Sequence, residues 1–222
     1  MQVRRPLISA ATLVFALMGA FLPTAAAGNA PAIGEFDAAF AKINDYTAIV
    51  KAHEVLGDTT QDRVYQYWFK KPHQAKILIE DGDGRGSGGV WNGGSQVSGH
   101  QGGLLSHFHL KVDLHDRRAV SLRGYTIPDG LLHNEVGKYR EIKGELTQRA
   151  GPEIAGQPTD EVELKPADPA ANGGVTRMVI YLSKNTHMPV KQQRFDGDKL
   201  VAEETFSDIK TNAGLTDADF PF

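Results

Sequence analysis

The stretch "SHFHLKVDLHD" sets His107, His109, Asp113 and His115 on one side of an alternating run, and neutral imidazoles sharing a face are the ligands a hydrolytic zinc ion takes. Distance tells against a simple site. In a straight strand His109 and His115 stand ~20 Å apart, so a bulge or a returning strand must bring them together. The same residues also read as the solvated polar face of a half-buried strand whose other face carries Phe108, Leu110, Val112 and Leu114. Nucleophilic chemistry has less to work with. The chain has no cysteine, and no serine stands in a G-x-S-x-G elbow. Ser87, Ser95 and Ser98 lie among glycines as turn residues, and no two carboxylates are marked as an acid and base pair. The sequence therefore assigns no catalytic residue and no metal ligand.

The run "DGDGRGSGGVWNGG", residues 81–94, has three readings. Gly84, Gly86 and Gly89 satisfy G-x-G-x-x-G, but a dinucleotide loop must lead into a helix, and "VWNGGSQVSG" has no helical period. Asp81 and Asp83 begin like a calcium loop, yet Arg85 holds the fifth position and Asn92 the twelfth, where a bidentate Glu is needed. What remains is a set of tight turns around a short strand carrying Val90 and Trp91, with glycine supplying the backbone angles.

These residues must be positioned by the elements around them. "IGEFDAAFAKIND" spaces Ile33, Phe36, Phe40 and Ile43 as a helix. From Tyr46 the period becomes two: "YTAIVKAHEV", then "RVYQYWFKK" with Tyr65, Tyr67 and Phe69 on one face, then "QAKILIE". "IPDGLLHNEVGKYREI" returns to helical spacing through Leu131, Leu132, Val136, Tyr139 and Ile142, with Asp129 as its expected cap. Loops flank the short strand "EVELK". Then "VTRMVIYLS", "MPVKQQRFD" and "KLVAEETFSDIK" follow, the last two joined at "FDGDK" as a hairpin. Strands joined by turns with two inserted helices make the class α+β with an antiparallel sheet, since a parallel sheet needs a crossover after nearly every strand.

Arg4 and Arg5, an apolar run from Leu7 to Leu22 and then Ala25-Ala26-Ala27 have the layout of an export signal cleaved after Ala27. Removing residues 1–27 leaves about 195, enough for a single domain over 28–222. It also takes the formal charge from −3 to −5, because Arg4 and Arg5 are the only charged residues before Gly28. No net basic field is left for nucleic acid. Export without cysteine, and so without a lipid anchor, points to the periplasm.

Apolar stripes remain: Tyr65, Tyr67 and Phe69; Trp91; Phe108, Leu110, Val112 and Leu114; Met178, Ile180 and Leu182. Singly each is ordinary sheet core. Together they suit a curved sheet whose concave face is wider than helices at Phe36, Phe40, Leu131 and Leu132 can cover, leaving an apolar cavity for an apolar ligand. Two rivals stand beside that binding reading: a metal-dependent hydrolase using His107, His109 and His115, and an interaction module with a filled core that recruits a partner through a sheet edge.

The export signal, the helix ahead of "DYTAIVKAHEV", the aromatic strand ending in "WFKKPHQAKILI" and the run "MVIYLSKNTHMPVKQQRFDGDKLVAEETFSDIKTNAGLTDADF" resemble the outer-membrane lipoprotein-sorting carriers of the LolA/LolB type. The resemblance is closest over 62–79 and 178–220. There Met188-Pro189 stands at a strand turn, and Asn212 precedes a closing segment that ends in Phe220. It implies an incomplete β-barrel closed by helices that carries acyl chains or another lipid without a cofactor, with an envelope membrane protein as donor or acceptor. The glycine-rich insertion at 81–103 and "LRGYTIPDGLLHNEV" depart from the pattern and resemble a divergent branch, so the carriers' ligand contacts do not transfer.

Overall fold

A computed structural model describes residues 30–221 of the chain. The proposed signal segment, residues 1–27, lies outside the described residues. The elements are α1 Pro31–Phe40, β1 Asp45–Leu56, β2 Thr59–Lys70, β3 Gln74–Gly82, β4 Gly88–Trp91, β5 Gln96–His100, β6 Leu110–Asp113, α2 Leu132–Glu141, β7 Gly144–Ala150, β8 Thr159–Pro166, β9 Arg177–Ser183, β10 Pro189–Asp196 and β11 Lys199–Thr211. The eleven strands form one antiparallel sheet in the order β6-β5-β4-β3-β2-β1-β11-β10-β9-β8-β7, open between β6 and β7. The fold is thus α+β, an incomplete barrel with two α-helices among the described residues.

This order dictates what fills the concave face. The chain meanders from β1 at the centre out to β6, then must cross to the opposite edge before meandering back to β11 beside β1. The crossing segment runs from Leu114 through α2, and its apolar residues Leu114, Ile127, Leu131, Leu132, Val136 and Tyr139 are buried in one core with the inward side chains of the sheet. Helix α1, started by a proline in its first turn, adds Ile33 and Phe36 to that core. Alternation delivers the sheet's share: Tyr46, Ala48, Val50 and Ala52 from β1, Tyr65, Tyr67 and Phe69 from β2, and Met178, Ile180 and Leu182 from β9.

Bulges bend the strands without reversing these faces. Opposite Thr47 and Ile49 of β1, β11 carries an extra residue, and Asp208 there takes a left-handed φ of 51°. A second irregularity, at Arg194/Phe195, places the extra residue Val201 on β11, while Arg194 faces inward beside Gln192 by simple alternation along β10. At the C-terminus, Lys70 and Lys76 of neighbouring strands reach the Asp217 carboxylate and the Asp219 carbonyl, pinning the closing segment against β2 and β3.

Three local expectations need correction. Asp129 does not cap α2. Its carboxylate accepts from the Thr126 N–H and hydroxyl and closes a separate 3₁₀ turn at Pro128–Gly130, while the N–H of Leu132 donates to the Tyr46 hydroxyl at 3.1 Å. Strands β5 and β7 go unread in the sequence, because β5 is glycine-bearing and β7, "GELTQRA", is a sheet edge with one apolar residue between its two ends. The run "SHFHLKVDLHD" is a strand only from Leu110 to Asp113, at the other edge, where nothing covers Phe108 or Leu110 and both are more than half exposed.

Candidate functional site

The helices cover one part of the sheet and leave the other open. Beyond β2, where the wall is β3 to β6, the apolar side chains that the crossing chain contributes are Ala119, Val120 and Ile127, and a cleft of about 710 Å³ remains. This size is in the range of small-molecule sites. Ile77 and Ile79 of β3, Val97 of β5, Val112 of β6 and Ile127 form its apolar lining.

Glycine makes the space. Gly89 of β4 faces Gly99 of β5, and neither puts a side chain into the cleft. A Cβ on Gly99 would stand 2.6 Å from the Gly88 carbonyl oxygen, nearer than such atoms approach, so the strands meet this closely only without one. The stretch read as turns around a short strand does form those turns, and it also builds a wall whose missing side chains are the cavity. Ser87 holds the wall to the next segment, its hydroxyl accepting from the Gly102 N–H at 3.0 Å.

Charge is distributed unevenly around the cleft. Arg63, Arg85, His100, Arg117 and Arg118 line it, and among the described residues no carboxylate does. Arg63 is fixed from within, its Nε donating to the Asp83 carbonyl and a terminal nitrogen to the Tyr65 hydroxyl. Arg118 is held by both oxygens of Asp116, whose carboxyl that guanidinium keeps well below the usual carboxylate range. Arg85 and Arg117 stand at the exposed rim outside any ion pair among the described residues.

The residues singled out in the sequence separate into three groups. Phe108, Leu110 and Val112 line the cleft. Tyr65 and Tyr67 border a small void of about 40 Å³ next to it, together with Glu54, Tyr125 and Glu204. Phe36, Phe69, Leu114, Leu131, Leu132, Met178, Ile180 and Leu182 are buried in the core, with Phe40 and Trp91 packed against it. Trp91 also donates from its indole N–H to the Gly94 carbonyl, bracing the turn. Sequence reasoning missed the arginines and the side-chain-free positions. The signal for the second was present, as adjacent glycines at alternate positions of paired strands.

The three histidines do not assemble. The His109 ring lies 5.6 Å from that of His100, and among the described residues no three of His, Cys, Asp and Glu are placed to hold a metal ion.

A charged cluster lies under α2 beside the small void. Glu135 of α2 accepts from Arg194 of β10 and Lys138, and all but the Lys138 amine are almost wholly buried. Burial alone would raise the Glu135 carboxyl, but the two cations outweigh it and hold the group below its ordinary value. Glu204 of β11, which accepts from the Gln192 amide, has the opposite fate. Burial, joined by repulsion from ionised Glu135, pushes it up to about 7.

Fold and cleft define an open antiparallel half-barrel whose helices leave one end of the concave face unfilled. The same fold occurs in an uncharacterized conserved protein of Thermus thermophilus, at 11% identity and a TM-score of 0.55 over 85% of this chain and 92% of that one. It occurs in MucB at 14% identity and a TM-score of 0.52, over 88% of this chain and 64% of MucB. A LolA superfamily protein from Nitrosomonas europaea aligns over 86% of this chain and 96% of its own, at 13% identity and a TM-score of 0.43. No protein-family model and no curated sequence matches the chain. At 11% and 14% identity, the first two likenesses are likenesses of fold alone.

Proposed function

We propose that this protein is an exported, non-enzymatic binding protein that shields a hydrophobic ligand in the cleft between β3–β6 and the crossing chain. Its mature form is a single domain over 28–222 working in the periplasm, and no cofactor takes part. The observation that carries this reading is the cleft itself: about 710 Å³ of partly apolar space in a fold whose other concave surface is filled. Each methylene that leaves water there contributes about 0.8 kcal/mol, so one alkyl chain supplies useful affinity without a polar anchor. Among the described residues no helix is long and apolar enough to cross a membrane.

Leu104, Phe108 and Leu110 are 97%, 67% and 55% exposed, and the last two line the mouth. This is where an envelope donor or acceptor would meet the ligand. The interaction-module reading draws on the same three residues, and one measurement separates the two. Native mass spectrometry of the protein gently purified from its own periplasm should show a co-purifying lipid that organic solvent removes. A bare polypeptide mass, repeated under gentle conditions, would overturn the binding reading and leave the exposed edge as the functional surface.

A further inference from the structure

The charges around the cleft name the class of its ligand. We infer that the guest is an anionic amphiphile: one hydrocarbon chain lies against Ile79, Val97 and Ile127, and a phosphate, carboxylate or sulfate head meets Arg85 and Arg117 at the rim. The inference rests on the binding reading above and deepens it.

Three observations converge. Among the described residues the lining is basic and holds no carboxylate, although the whole chain is formally −3, so the local sign opposes the global one. The carboxylates of the adjoining turns are engaged elsewhere: Asp83 accepts from the Asp62 N–H, Asp113 from the His115 N–H, and Asp116 holds Arg118. Arg85 and Arg117, by contrast, stand outside any ion pair among the described residues, Arg117 meeting only the field of an Asp116 carboxylate already bound to Arg118, and both are exposed where the apolar wall ends. A guanidinium presents a planar fork that fits two oxygens of a phosphate or carboxylate, and beside a low-dielectric wall that attraction exceeds what it would be in open water. A neutral or cationic head would leave both guanidinium forks without a bound anion.

The test is displacement of Nile red, a neutral dye, from the mature protein by four twelve-carbon compounds below their micelle thresholds: dodecyl phosphate, dodecanoate, dodecanol and dodecyltrimethylammonium. The two anions should displace dye at concentrations about tenfold lower than dodecanol, and 0.5 M salt should narrow that gap. In the Arg85→Gln/Arg117→Gln double variant the advantage should shrink to about twofold, with dodecanol unchanged. Equal displacement by anions and dodecanol, or tighter binding of the cation, overturns the inference and leaves the binding reading intact. So does inorganic phosphate competing as well as dodecyl phosphate, which would make the rim a site for small anions. Failure of the dye and of every chain-bearing compound to bind overturns the binding reading as well.

Discussion

At Glu204 the concave face keeps a carboxyl that is half protonated near neutrality, because burial and ionised Glu135 both oppose its charge. The unfolded chain ionises this group near 4.5, so between that pH and about 7 the folded form binds the extra proton. The contribution to stability is therefore complete at the acid side of this window and is lost as pH rises through about 7. His133 works the other way: burial against Phe40 and Phe69 pulls its imidazole down to about 4, so its contribution is lost on acidification below about 6.5. Comparison with a Glu204→Gln variant isolates the first effect. The thermal midpoint of the variant relative to wild type should rise by about 5 °C between pH 5 and pH 8. A difference that does not change with pH would show that Glu204 is already ionised at pH 5.

Strands β4 and β5 owe their role to what they lack. At Gly89 an added Cβ would meet the Cδ1 of Ile127 at 3.0 Å, the mobile end of a side chain, so Leu can be accommodated at that cost and would project into the cleft. At Gly99 the obstacle is backbone, which cannot yield without parting the two strands. Gly89→Leu should therefore weaken Nile red binding at least about tenfold while its midpoint stays within about 4 °C of wild type. Gly99→Leu should instead lower the midpoint by more than that. If Gly89→Leu binds the dye as well as wild type, the ligand lies elsewhere. Strand β6 obeys the same local logic from the other direction. As an edge it lacks a covering layer, so Phe108 and Leu110 stay in water, although their alternation would suit a core.

On the scale of the molecule, one topological fact organises the rest. The two ends of the sheet are adjacent in sequence but far apart in the strand order, so the chain between β6 and β7 must traverse the barrel mouth. It fills that mouth where it forms α2 and fails to fill it where it passes as irregular chain near Ala119 and Val120. Strands β1 and β11, widely separated in sequence, pair at the centre, so the proposed single domain should unfold as one cooperative unit. Expression with its leader should give an exported protein whose intact mass corresponds to a start at Gly28, and this form should unfold in urea in one transition by both tryptophan fluorescence and circular dichroism. A processed start elsewhere would refute the cleavage position, and two resolved transitions would refute the single domain.

The alternation of "RVYQYWFKK" and "VTRMVIYLS", the helical spacing of Phe36 and Leu132 and the "FDGDK" link were enough to set the class, the antiparallel pairing and most of the core, because burial on one face imposes a period that any single segment displays. The turn character of residues 81–94 was equally legible, since glycine pairs and Asn-Gly have few other uses. Where the open space lies was not. Phe69 and Ile180 differ from Val112 in nothing the strand period records, yet the first two are buried in the core and the last lines a cleft, because the covering layer comes from a crossing chain far away in sequence. The basic lining was hidden for the same reason. Arg63, Arg85 and Arg117 are scattered along an acidic chain, and only the pairing of β2 through β6 gathers them around one volume while the turn carboxylates are drawn into hydrogen bonds of their own.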